Sequence, residues 1–171
     1  MSEIVHVDFD YKEGIMIDIV LNIRCVTHSD VPTIVQMLSD DLLGEKRERF
    51  EDPLPESYLK AFHAINEDPN NELVVATTGI DIVGFMQITF IPYLTYQGRW
   101  RALIEGVRVN KKYRGQGIGK QFFQWAIQRA KSRNCHLIQL TTDKQRPDAI
   151  RFYESMGFIS SHEGMKLHLD K

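Results

Sequence analysis

Residues 113–126 read YRGQGIGKQFFQWA. Glycines stand at 115, 117 and 119, and behind them Phe122, Phe123, Ala126, Ile127 and Ala130 recur at the spacing of an amphipathic helix. Ahead of them RALIEGVRV, Arg101–Val109, is a β-branched apolar run of strand type. A strand ending in a glycine loop that opens a helix is an anion site. Glycine lets the backbone come close, several N–H groups point outward, and the helix start adds up to about 2 kcal/mol for a negative group. The expected ligand therefore carries phosphate.

Three phosphate loops compete for this stretch. A P-loop needs G-x-x-x-x-G-K-[ST], but Arg114 stands five residues before Gly119, and Gln121 follows Lys120. A dinucleotide fingerprint needs G-x-G-x-x-G early in a βαβ unit, whereas Gly115, Gly117 and Gly119 give G-x-G-x-G late in the chain. The pattern R-x-x-G-x-G is met by Arg114, Gly117 and Gly119.

Working outward, the first 14 residues are polar and turn-like after IVHVDFD, and residues 1–15 read as an N-terminal extension. Met16–Val26 is a first strand. Ser29 or Asp30 can cap a helix that has Pro32 in its first turn, an apolar stripe of Ile34, Val35, Met37, Leu38 and Leu42, and an end near Gly44. GEKRERFEDPLP is a charged loop, Glu56–Asn66 a second helix, DPNN a turn, and ELVVATT and DIVGFMQITFI a hairpin ending at Pro92. After PYLTYQGRW come the fourth strand, the glycine loop and a helix to about Ser132. CHLIQLTT is then a short buried strand, PDAIRFYESM a helix stopped by Gly157, and GFISS and MKLHL final strands. The order predicts an α/β (α+β) fold with a central mixed sheet, in one domain over 16–171.

Bulk composition narrows the function. With 43% hydrophobic and 26% charged residues the chain is neither fibrous nor disordered. Net charge is −2, so no overall field collects nucleic acid; the nearest basic patch, Arg108, Lys111, Lys112, Arg114 and Lys120, suits a small polyanion. Cys25 and Cys135 fit no CxxC or zinc spacing and are expected as reduced thiols, most simply buried small hydrophobes. The six histidines lack ligand spacing, so no metal is expected. No apolar run spans a membrane and the start is acidic, which makes a cytoplasmic protein the default.

A second motif joins the first. AIRFYESMGF, Ala149–Phe158, matches A-x-x-[FL]-Y-x-x-x-G-F. With R-x-x-G-x-G upstream and HLIQL between, the chain from about Ile17 to Leu169 resembles the GNAT superfamily of acyl-CoA-dependent N-acyltransferases. The resemblance implies a mixed, mostly antiparallel sheet with about four helices and splayed fourth and fifth strands. It also implies acetyl-CoA as co-substrate and an amine acceptor, most simply a small molecule; such domains often pair as homodimers. The pyrophosphate would lie on Arg114, Gly115, Gln116, Gly117, Ile118, Gly119 and Lys120, and the pantetheine arm along Gly106–Val109, including Val107 and Arg108.

The implied chemistry is acyl transfer to nitrogen, which needs a base for the ammonium and an acid for the departing thiolate. Glu105, in the fourth strand where the family often has an acidic residue, is the candidate base; alternatively it pairs with Arg101 or caps local backbone. Tyr153 matches the family's general acid; alternatively its ring packs and its hydroxyl bonds backbone. A backbone N–H near Val107 is the expected oxyanion donor. Where the family often has Asn, this chain has Arg146, which can reach a CoA phosphate or stand in solvent. For the acceptor, Tyr93, Tyr96 and Trp100 can enclose a flat or cationic group or cap a sheet edge. Glu45, Glu48, Glu51 and Asp52 can attract an amine or form a solvated face, and Thr142 and Asp143 can bind a polar acceptor or cap a turn. A non-catalytic acyl-CoA sensor with the same fold is the reading from a different class.

Overall fold

The computed structural model describes residues 3–5, 20–40 and 43–169. It divides into two compact units, Met1–Gln139 and Leu140–Lys171. The first is a sheet whose strands lie in chain order: β1 (Glu3–Val5), β2 (Leu21–Cys25), β3 (Asn71–Thr78), β4 (Asp81–Pro92), β5 (Trp100–Val109) and β6 (Cys135–Leu140). Neighbours from β1 to β5 pair antiparallel. The crossover from β5 to β6 runs through a helix, which sets β6 parallel to β5. Helices are α1 (Val31–Ser39), α2 (Glu56–Glu67), the single turn α3 (Thr95–Gly98) and α4 (Ile118–Ser132).

Period-two patterning sorts the sheet into two faces. Leu73, Val75 and Phe85 pack with Val26, Val31, Ile34, Val35 and Phe62, so α1 and α2 cover one face. The alternate residues meet α4. The Phe122 ring lies where a Cβ on Gly84 would come within 3.1 Å, Arg129 grips Glu72 at 3.0 and 3.1 Å, and the Arg133 guanidinium sits 4.5 Å from the Phe90 ring centroid. Phe122 and Phe123 are fully buried, each contributing roughly 2–3 kcal/mol.

Ahead of α1, a 3-10 turn at His28–Asp30 uses the predicted cap differently. Asp30, 7% exposed, turns its carboxylate back onto Arg24 (2.7 and 3.0 Å), the Thr27 N–H (2.7 Å) and the Thr27 hydroxyl (2.8 Å). The Arg24 bond leads the causes that hold this carboxyl at about 2, against an opposing push from burial. The β3–β4 hairpin turns on Gly79 and Ile80, and Gly79 takes the φ of +56° that a primed two-residue turn asks of its first position.

In the second unit, α5 (Pro147–Ser155) ends in a Schellman motif: Phe158 N–H donates to Tyr153 O (3.0 Å) and Gly157 N–H to Glu154 O (3.0 Å), with Gly157 at φ +89°. The matching apolar contact is Tyr153 on Phe158, ring centroids 5.9 Å apart. The spacing Y-x-x-x-G-F is thus itself a helix stop that clamps the tyrosine.

Several expectations are corrected. The first strand is Leu21–Cys25; Met16–Asp18, Ile19 and Leu42 of the α1 stripe lie outside the described residues. Within the extension, Glu3–Val5 pairs with β2 as an edge strand. β6 is half-buried rather than buried, because it is the last strand of its sheet. Cys25 is exposed and Cys135 half-buried, both as free thiols. GFISS and MKLHL form no strand: Ile159, Met165, Leu167 and Leu169 are 84–96% exposed, and period-two apolarity makes a strand only where a neighbouring ladder accepts it.

Candidate active site

Strand β5 organises the site. On β4, Phe85 and Gln87 are two steps apart; their partners on β5, Arg108 and Glu105, are three. The extra residue is a β-bulge opposite Met86, and Gly106 absorbs it at φ +65°. No other residue fits easily there, since a Cβ would meet the Phe85 ring at 3.0 Å. A bulge leaves one residue out of the ladder, so β5 has a backbone amide to spare beside Glu105. Beyond it Arg108 and Val109 resume pairing, with Phe85 and Gly84, and the Arg108 guanidinium donates to Val107 O at 2.8 Å.

Past Val109 the chain turns at once. Asn110 N–H donates to Val83 O, the Asn110 carbonyl side-chain oxygen caps a 3-10 turn at Lys111–Tyr113, and Arg114 Nε donates back to Val109 O at 3.0 Å. Gln116 Nε2 holds Lys112 O at 3.1 Å. The Tyr113 hydroxyl donates to Asp81 at 2.7 Å, a bond that pushes its pKa up. Gly115 and Gly117 take φ of +78° and +76°, and α4 starts at Ile118. Its first helical bond runs from Gln121 N–H to Gly117 O, so the amides of Ile118, Gly119 and Lys120 have no carbonyl within the helix. Exposed Lys112, Arg114 and Lys120 surround this opening. Side chains thus brace the loop, and the N–H groups at the start of α4 are left without a helical carbonyl.

Glu105 is exposed, and among the described residues it forms no ion pair. The alternative pairing with Arg101 does not occur; the Arg101 guanidinium lies over the Tyr93 ring instead, 5.0 Å from its centroid. Opposite Glu105 stands Gln87. On the same face Gln87 Nε2 (3.1 Å) and the Thr89 hydroxyl (2.6 Å) both donate to Asn71 Oδ1, and Asn71 Nδ2 donates to Asp68 at 2.6 Å. Sequence reading missed these four residues. Its one available signal was the DPNN turn, whose last Asn opens a strand.

Two of the three aromatics expected near the acceptor come together. Tyr93, Tyr96 and His136 cluster with centroids 5.3–5.7 Å apart, joined by Tyr93 Oη to His136 Nε2 (2.8 Å) and His136 Nδ1 to Trp100 O (2.8 Å). The carbonyl accepts only, so Nδ1 carries a proton. Trp100 contributes its backbone rather than its ring, and His136 is the member that sequence reading passed over. Tyr96 and Gln97 adopt φ of +53° and +63°, strained values for side-chain-bearing residues. The cluster lies four to five β5 residues from Glu105, roughly 13–17 Å.

Between the first two helices, Arg47 pairs with Glu48 and Arg49 with Glu51, and the Tyr58 hydroxyl donates to Glu48 at 3.1 Å. These acids are partly neutralised by their own loop. In the second unit Asp143 Oδ1 accepts from Gln145 N–H at 2.9 Å, which is turn capping; Thr142 is half-buried and Arg146 is the residue before α5. Tyr153 is half-buried between Phe152 and Phe158. Among the described residues no three His, Cys, Asp or Glu side chains gather as a metal site, and no helix is long and apolar enough to cross a membrane.

Comparison with known proteins matches residues 35–158 to the acetyltransferase (GNAT) family model. The chain is 27% identical over 143 residues to the aminoalkylphosphonate N-acetyltransferase of Salmonella typhimurium, covering 84% of this chain and 88% of that one. It is 32% identical over 88 residues to the glucosamine 6-phosphate N-acetyltransferase of Trypanosoma brucei brucei, 52% of this chain and 58% of that one. A crystal structure described as a transcriptional regulator from Bacillus halodurans superposes with a TM-score of 0.85 at 63% identity, covering 87% of this chain and 99% of that one.

Proposed function

The chain belongs to the acetyltransferase (GNAT) family, and on that premise we propose that it moves the acetyl group of acetyl-CoA directly onto a primary amine. The observation that carries this reading is the conjunction on β5: an exposed Glu105 without an ion pair among the described residues, the Gly106 bulge beside it, and the amide-lined opening of α4 at the strand's end. The loop from Arg114 to Lys120 binds the pyrophosphate, and Gly106, Val107, Arg108 and Val109 line the pantetheine arm.

Glu105 takes a proton from the ammonium, directly or through a water, which frees the nitrogen lone pair to attack the thioester carbonyl. As the C–N bond forms, the carbonyl oxygen gains charge, and the spare amide of the bulge near Val107 donates to it. Collapse breaks the C–S bond; the family resemblance gives Tyr153 the role of protonating the leaving thiolate, and the second proton of the attacking nitrogen then restores the tyrosine, directly or through water, with Arg146 on a CoA phosphate. The two relatives named above acetylate amines that also carry phosphonate or phosphate, which favours a small amine acceptor here. Tyr93 and Tyr96, at the far end of β5, would meet only a longer acceptor; Thr142 and Asp143 keep the polar acceptor role that the sequence gives them.

Titration calorimetry with acetyl-CoA, NAD and ATP, followed by thiol release with an aminoalkylphosphonate, glucosamine 6-phosphate and a free-amine peptide, tests the reading. Heat from acetyl-CoA alone and thiol release with an amine are expected; heat from NAD or ATP without acetyl-CoA binding overturns it. A second reading, an acyl-CoA-responsive regulator, draws on the description of the 63%-identical structure. Its mark is tight acetyl-CoA binding without turnover of any amine.

A further inference from the structure

The amide network behind Glu105 has a direction, and the direction is imposed from a turn outside the site. Asp68 is a carboxylate and therefore accepts: its Oδ1 takes Asn70 N–H at 2.8 Å and its Oδ2 takes Asn71 Nδ2 at 2.6 Å. With Nδ2 committed to Asp68, Asn71 turns Oδ1 toward the sheet, so Gln87 must offer Nε2 and Thr89 its hydroxyl hydrogen. Gln87 Oε1 and the lone pairs of Thr89 Oγ1 are then what remains to face outward. Gln87 stands directly across from Glu105, where paired Cβ atoms are about 5 Å apart. Glu105, Gln87 Oε1 and Thr89 Oγ1 thus form a patch rich in acceptors, the one side-chain donor left to it being the second N–H of Gln87 Nε2.

The geometry points to a specificity element for the ammonium of the acceptor: Gln87 Oε1 and Glu105 hold two of its N–H groups, while Asn71 and Asp68 act as positioning residues that fix which end of the Gln87 amide is presented. An acceptor-rich patch fits a primary ammonium, which has three donors and no acceptor, and disfavours a carboxylate of the same shape. The inference rests on the acetyltransferase reading and names how that site selects its amine.

Asp68→Asn tests it at a distance. The amide keeps shape and keeps an oxygen for Asn70 N–H, but it presents N–H₂ to Asn71. Asn71 then reverses, Gln87 reverses after it, and a donor faces the ammonium. Using the amine of the panel above that turns over fastest, KM is expected to rise about tenfold or more, with kcat within about threefold and acetyl-CoA affinity unchanged by calorimetry. Glu67→Gln, which removes a neighbouring exposed charge outside the network, is expected to leave KM unaltered. Should Asp68→Asn fold poorly, Gln87→Met keeps the side-chain shape and removes the oxygen, with the same KM rise expected. If the wild-type enzyme turns over the amine and both variants keep its KM, the polarity argument is wrong. If the wild-type protein binds no acetyl-CoA, the fault lies in the acetyltransferase reading instead.

Discussion

Substituting Gly106 by alanine should damage stability and activity together, for reasons that can be separated. The position has φ +65°, and a side-chain-bearing residue held there costs about 1–2 kcal/mol. The new Cβ also meets Phe85 Cε1 at 3.0 Å, and Phe85 is 5% exposed within the core beside Val75, so its ring can move only by disturbing that packing. Overpacking of this kind adds about 1–2 kcal/mol. The sum, about 2–4 kcal/mol, lowers Tm by roughly 4–16 °C for a chain of this size. Because the bulge releases the amide proposed to meet the oxyanion, kcat should fall on the order of a hundredfold or more. Gly84→Ala is the control: its Cβ meets Phe122 at 3.1 Å on the other face, with no positive φ, so it loses packing and keeps kcat. Thermal unfolding and steady-state thiol release on both variants decide the matter. A Gly106→Ala protein with wild-type Tm and kcat would refute the role of the bulge.

Three further outcomes are expected. Asp30→Asn should destabilise by about 2 kcal/mol at neutral pH; since Asp30 has its pKa depressed to about 2, its contribution is present above the ordinary carboxyl range and disappears as pH falls through about 2. Chemical unfolding of both proteins from pH 6 downward should therefore show the gap closing with acid, and a gap independent of pH would sink the assignment. Tyr153→Phe keeps the ring contact with Phe158 and removes the hydroxyl, so kcat should drop on the order of a hundredfold at nearly unchanged Tm; full kcat would end the acid role. Glu105→Gln should slow turnover near neutrality, with the deficit shrinking as pH nears the amine's own pKa, and a deficit constant across pH would argue against a base.

The glycine loop and the second motif were readable because each is a local device. Alternate glycines before an apolar helix face define a loop with left-handed turns, and Tyr153, Gly157 and Phe158 stand at the spacing of a Schellman motif, whose bonds close within six residues. The hairpin at Gly79 and the end of β4 at Pro92 were legible on the same ground. The final strands failed because alternation in MKLHL states only what a strand would need. A ladder partner is a tertiary fact.

By itself the sequence determined the run of elements from the first long strand to the last helix in outline, the loop that opens α4, and the family. Those follow from local sterics and hydrophobic periodicity, which act over a few residues. Only the tertiary structure decided the relations across strands. The Gly106 bulge exists because β5 has one residue more than β4 between two pairings. Arg101 stacks on Tyr93 rather than pairing with Glu105. Asp68, Asn71 and Gln87, far apart in the chain, share a hydrogen-bond direction because register brings them side by side. Register depends on how whole strands pair, and no single strand's sequence contains it.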